Sequence, residues 1–239
     1  MSKSFLIDTT LCMACRGCQV ACKQWHDLPA EETVNRGSYQ NPEDLSFDTY
    51  KLVRMKEEEI DGRLEWLFFP DQCRHCIEPP CRDVANDPKG IFSDPATGAV
   101  LYTAFTKELD RDEIIAACPY NIPRAATNGV LAKCDMCLDR VQNGLEPACV
   151  KTCPTGAMAF GERDAILQQA QAHLAAAKKK YPKAQLLDPD DVRVIYLVGN
   201  DPLLYHSNAI ASTTSFDVTR QVALQRMIRP LRNVLARLA

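Results

Sequence analysis

Several things are scarce in this chain, and each shortage closes a door. No run approaches the ~18 consecutive apolar residues that span a bilayer. Phe5-Leu6-Ile7 is too short for the apolar stretch of a secretory leader. The sequence therefore reads as carrying neither a membrane span nor an export address of its own. Positive charge is not in excess: 28 Lys and Arg stand against 31 Asp and Glu, for a net charge of −3. That balance argues against a nucleic-acid binder, as does the lack of stacking aromatics near the basic residues. Glycine is sparse, at 10 in 239 residues, whereas cysteine reaches 12. An even number invites a disulfide framework, but such frameworks belong to short secreted domains. The tightest spacings here would also force strained neighbouring bridges.

The cysteines fall in groups. Cys12-Met13-Ala14-Cys15-Arg16-Gly17-Cys18-Gln19-Val20-Ala21-Cys22 is C-x2-C-x2-C-x3-C. In that pattern three cysteines hold one iron–sulfur cluster, and the fourth ligates another. Cys73, Cys76 and Cys81 follow as C-x2-C-x4-C, with Cys118-Pro119 beyond. Cys134 and Cys137, then Cys149 and Cys153-Pro154, form the last group. By the sharing rule of paired-cluster ferredoxins, Cys12, Cys15 and Cys18 take Cys153. Cys134, Cys137 and Cys149 take Cys22, while Cys73, Cys76, Cys81 and Cys118 make a third set. Twelve cysteines thus fill three [4Fe-4S] clusters with none left over. A complete second motif would also need cysteines at the positions of Ala85, Glu108, Arg111 and Ile114. All four are missing together, as if one cluster had been cleared as a unit. Zinc is the rival metal, which would make the chain a structural module, but a three-cysteine run suits zinc less well. His75, between two cysteines, is read as a neighbour of the site or a surface residue rather than a ligand. Arg16, Lys23, Arg74, Arg82, Lys133 and Lys151 lie among the cysteines. An all-thiolate cubane carries a charge of roughly −2, which nearby cations offset, raising its potential.

The expected fold class is α+β: two bacterial-ferredoxin-like modules, one with a lost cluster, plus a C-terminal helix and strand extension. Residues 1–45 and 125–161 form the first module, 46–124 an inserted second one, and 162–239 the extension and basic tail. Phe5 to Asp8 reads as a strand, with a helix entered near Cys18 and loop over 27–50. Residues 50–55 and 64–69 read as a hairpin turned at Asp61-Gly62. Strands are expected around Gly90-Ile91-Phe92 and Ala99 to Tyr102, a helix over 107–117 and another over 162–180. Val192 to Val198 reads as a buried strand. The tail carries Arg220, Arg226, Arg229, Arg232 and Arg237, with no acid after Asp217. Wound as a helix, it gathers Leu224, Met227, Ile228, Leu231, Leu235 and Leu238 on one face, with Pro230 a kink or a new start. Its expected role is a clamp on a partner, ahead of a membrane-surface helix or a solvated appendage.

These motifs resemble the iron–sulfur electron-transfer subunits that accompany molybdenum or tungsten bis-pterin oxidoreductases. The Cys12 to Trp25 run, Phe69-Pro70-Asp71-Gln72-Cys73-Arg74-His75-Cys76, Cys118-Pro119-Tyr120, Lys133 to Cys137, and Pro147 to Cys149 with Cys153 to Ala157 carry the resemblance. It extends to about residue 210. The three-cluster count and Lys23-Gln24-Trp25 draw it toward the beta subunits of periplasmic formate dehydrogenases from sulfate-reducing bacteria. Partners of sulfur-compound, nitrate and sulfoxide reductases share the cysteine pattern. The resemblance implies a non-catalytic chain in a heterodimer with a large Mo- or W-pterin catalytic subunit. It implies a soluble cytochrome c as acceptor, and location in the periplasm by export with the catalytic subunit, ahead of the cytoplasm. Beta subunits of membrane-bound relatives end in a transmembrane helix, which this sequence lacks, and the basic tail lies outside the resemblance.

Overall fold

The computed structural model describes residues 2–211, so the basic tail lies outside the described residues. The fold is a mixed α and β architecture built on one four-stranded sheet. Strand β1 (Lys3–Asp8) leads through the first cysteine loop into helix α1 (Gly17–Trp25). After a long irregular segment come β2 (Leu52–Ile60) and β3 (Arg63–Asp71), an antiparallel hairpin. Its turn is Asp61-Gly62, both at positive φ (52° and 74°), as a two-residue turn between twisted strands requires. The insertion continues with α2 (Pro80–Ala85), β4 (Ile91–Ser93), β5 (Val100–Tyr102) and α3 (Arg111–Ala116). Strands β6 (Arg124–Ala125) and β7 (Leu131–Ala132) lead to α4 (Leu138–Gln142) and α5 (Ala148–Lys151). Last are β8 (Met158–Glu162), α6 (Arg163–Ala177), β9 (Gln185–Leu187), β10 (Val194–Val198) and α7 (Pro202–Tyr205).

The sheet order is β8-β1-β10-β9, with β1 and β10 parallel and the other pairs antiparallel. Successive side chains on a strand face opposite ways, and both faces here are apolar. Leu6, Ile195 and Leu197 pack on Ile166 and Ala170 of α6. Phe5, Ile7, Val194, Tyr196 and Val198 face the other way, into a core shared with Phe69, Met136, Cys18 and Cys149. The second face is therefore the floor on which two of the cysteine groups are laid.

The segment after residue 162 is no appendage to this core. It supplies two of the sheet's four strands, and it is stitched to the insertion. The bridge Cys76–Val192 and the bond from the Val194 N–H to the Arg74 carbonyl join the two regions. No helix among the described residues is long and apolar enough to cross a membrane.

Candidate metal centre

Three loops of one conformation build the site. In each, the residue two after the first cysteine is a non-glycine in the left-handed region: Ala14 (φ 54°), His75 (47°) and Met136 (69°). That conformation is uncommon and costs energy unless its surroundings hold it. It aims the residue's N–H back at the first sulfur. The His75 and Met136 N–H groups donate to the Cys73 and Cys134 Sγ at 3.4 and 3.5 Å, and the Ala14 N–H does the same at Cys12. Each loop thus presents two cysteines to one point with a backbone donor on the first sulfur.

Helices supply the remaining sulfurs. Cys18 and Cys22 lie one turn apart on α1, facing the same way. Cys12 and Cys18 face Cys153, and Cys15 faces Cys18, which closes group one. Cys134 faces Cys22 and Cys137, and Cys149 of α5 faces Cys22 and Cys137, which closes group two. Cys149 also faces Cys18, so the two groups are neighbours. Cys76 faces Cys73, Cys81 and Cys118, and these four line one cavity beneath Tyr102, Tyr120 and Lys133, making group three. Each of the twelve cysteines, all free thiols, lies near others of its expected set, and Cys134 of group two also lies near Cys73 of group three. Cys15 is exposed, whereas the four cysteines of group two are buried.

The donor chemistry fits a thiolate-bound metal centre. Burial pushes the thiols up, to about 11 for Cys12 and about 12 for Cys118 and Cys149. Thiols this acid-weak ionise only against a bound cation. Lys51 makes the same point from the opposite charge. It is 2% exposed and donates to the Gln72 Oε1, and no carboxylate pairs with it among the described residues. A buried charge without a counter-ion is costly. The groups facing this one are the sulfurs of Cys149, Cys18 and Cys134, together with Tyr196.

The other basic residues divide sharply. Arg74 is buried, pairs with Asp71 at 2.9 Å, and stacks on Tyr196 with its guanidinium carbon 4.3 Å from the ring centre. Lys133 is buried against the Val100 and Cys134 carbonyls and over the Tyr102 ring. Arg16, Lys23 and Arg82 bond the Tyr39 carbonyl, the Pro29 and Asp48 carbonyls, and Asp83, and Lys151 is exposed. His75 is fully buried, which removes its surface reading. Its Nδ1 accepts the Val100 N–H at 3.0 Å, and burial holds the ring well below the usual imidazole range, hence neutral.

Sequence reasoning missed Lys51, which looked like an ordinary strand-entry lysine, and His26. The His26 ring bonds the Cys22 carbonyl at 2.8 Å and Asp135 at 2.9 Å, beside Cys137. Burial opposes its charge, but Asp135 holds the ring protonated well above the usual range. The only sequence hint was its place four residues after Cys22.

The 4Fe-4S dicluster domain family matches residues 64–163. The chain is 59% identical over 215 residues to the formate dehydrogenase subunit beta of Megalodesulfovibrio gigas, covering 88% of this chain and 100% of that one. It is 53% identical over 216 residues to the formate dehydrogenase 2 subunit beta (cytochrome c-553) of Nitratidesulfovibrio vulgaris, with 87% and 99% covered. It is 39% identical over 215 residues to the iron-sulfur subunit of the nitrate-inducible formate dehydrogenase of Escherichia coli, with 84% and 70% covered. With the cysteine sets and these relatives together, the chain belongs to the family of formate dehydrogenase iron–sulfur (beta) subunits.

Proposed function

We propose that the chain passes single electrons between the Mo- or W-pterin catalytic subunit of a formate dehydrogenase and an external acceptor such as a c-type cytochrome. Three [4Fe-4S] clusters are held by Cys12, Cys15, Cys18 and Cys153; by Cys22, Cys134, Cys137 and Cys149; and by Cys73, Cys76, Cys81 and Cys118. The observation that carries this reading is the threefold repetition of one strained loop, each time gathering four free cysteines. The cytochrome named with the Nitratidesulfovibrio vulgaris relative supports the choice of acceptor.

Bound clusters supply one-electron carriers whose potentials follow charge, hydrogen bonding and exposure. The chain's own residues do the rest. The Ala14, His75 and Met136 N–H groups orient one sulfur in each set and withdraw charge from it. Helix α1 keeps groups one and two adjacent by carrying Cys18 and Cys22 on one face. Lys51, Lys133 and Arg74 place fixed positive charge inside the protein. Exposed Cys15, between exposed Leu11 and Met13 and exposed Val20, makes group one a port toward a partner. Residues 1–45 with 125–161 act as a two-cluster module and 46–124 as an inserted one-cluster module. The tail beyond residue 211 clamps the catalytic subunit, and the pair is exported together to the periplasm.

The test is electron paramagnetic resonance on the anaerobically co-purified complex. Formate is expected to develop reduced 4Fe-4S signals assignable to this chain, and oxidised cytochrome c to bleach them. Clusters that dithionite reduces and formate does not would contradict the proposal.

A further inference from the structure

We infer that the Lys51 ammonium is a counter-charge shared by groups one and two, a positioning residue that favours reduction of both. This rests on the reading of those groups as cluster ligands. Lys51 stands at the entry to β2, 2% exposed, two residues before Val53, whose N–H donates to the Gln19 Oε1 of α1 at 3.2 Å. Two other buried cations, Arg54 and Arg74, both pair with Asp71, at 2.8 and 2.9 Å, and Lys133 bonds the Val100 and Cys134 carbonyls. Lys51 has only the neutral Gln72 Oε1. The sulfurs it faces come from both sets, Cys18 from group one and Cys149 and Cys134 from group two. Its counter-ion is therefore created when those sulfurs bind metal as thiolates.

Reduction adds one negative charge to a centre that is already anionic. A cation fixed in a low-dielectric interior stabilises that added charge. Different cations act on group three, Arg74 on Cys76 and Lys133 on Cys81. Removing the Lys51 charge therefore lowers the first two potentials and moves the third less.

The experiment is a redox titration followed by paramagnetic resonance, with iron analysis, on the co-purified complex carrying Lys51→Met or Lys51→Arg. Lys51→Met keeps the length of the side chain and removes its charge. The expected result is full iron with at least a tenfold fall in the reduction equilibrium constant of groups one and two, about 59 mV for a one-electron step. Lys51→Arg is expected to restore most of it. Unchanged potentials in a fully loaded Lys51→Met complex, or an equal shift at all three groups, would overturn the inference. If Lys51→Met fails to load iron, Gln72→Glu leaves the ammonium in place and pairs it with a carboxylate. Lowered potentials at groups one and two then support the inference, and unchanged ones overturn it. Absence of iron from the wild-type complex would overturn the cluster reading itself, and this inference with it.

Discussion

Helix pairs α1–α5 and α2–α3 are built alike and filled differently. In the first, Cys18 and Cys22 on one helix meet Cys149 of the other and Cys153 just past its end. In the second, Cys81 and Cys118 take the places of Cys18 and Cys153, while Ala85 and Ile114 stand where Cys22 and Cys149 would be. Ile114 is 1% exposed and packs with Ala85, Ile91, Val100 and Leu131 into a small apolar core. The other two positions that a complete motif would fill with cysteine, Glu108 and Arg111, are exposed. The four positions that a second cluster would need thus divide in two. Ala85 and Ile114 lie in hydrocarbon, and Glu108 and Arg111 face solvent. A pair of helices can be held together by a metal centre or by packing; free thiols lie between the first pair and hydrocarbon between the second.

Variants at the paired positions separate the two kinds of cement. Cys149→Ser has the largest expected effect: loss of one group, so about a third of the iron, and a marked fall in thermal midpoint. Iron analysis with calorimetry checks it. Ile114→Ala is the matched change in the other pair. It leaves iron untouched and costs about 2–4 kcal/mol by opening a cavity, measured by chemical denaturation of the iron-loaded protein.

A smaller effect comes from where α7 caps the hairpin base. Burial holds His206 down, to about 4, near Asp71. Its folded form therefore stays neutral while the unfolded chain takes up a proton below about 6.5. Stability should fall as pH drops from about 6.5 toward 4. His206→Gln should remove that slope, of less than one proton, in denaturation midpoints taken across the window. The smallest expected effect is at the hairpin turn. Gly62→Ala, at φ 74° with open space around it, costs about 1 kcal/mol in backbone strain alone, with iron and potentials unchanged.

The sequence showed most clearly what repeats. Cysteine spacing is fixed by the size of the object it surrounds, so counting alone leads to an expected grouping of twelve residues. The Asp61-Gly62 hairpin and the strands at residues 5 and 194 were legible because turn chemistry and apolar runs are local signals. The parallel pairing of β1 with β10 was not, since nothing local marks which of several buried strands will meet across nearly the whole chain. Helices α2, α4 and α5, of 6, 5 and 4 residues, are too short to show a period. Lys51 was missed, and His75 was left between a neighbour of the site and a surface residue, for one reason. Burial of a polar side chain depends on what folds over it, and a lysine beside Leu52 looks the same whether it ends in water or among sulfurs.

One count bears most directly on the three cysteine sets. Iron and acid-labile sulfide should be measured on the anaerobically purified complex, with the iron of the catalytic subunit subtracted. Three groups of four predict about 12 iron and about 12 sulfide per chain. About 8 would remove one of the three sets, and stoichiometric zinc without sulfide would contradict the account at its root.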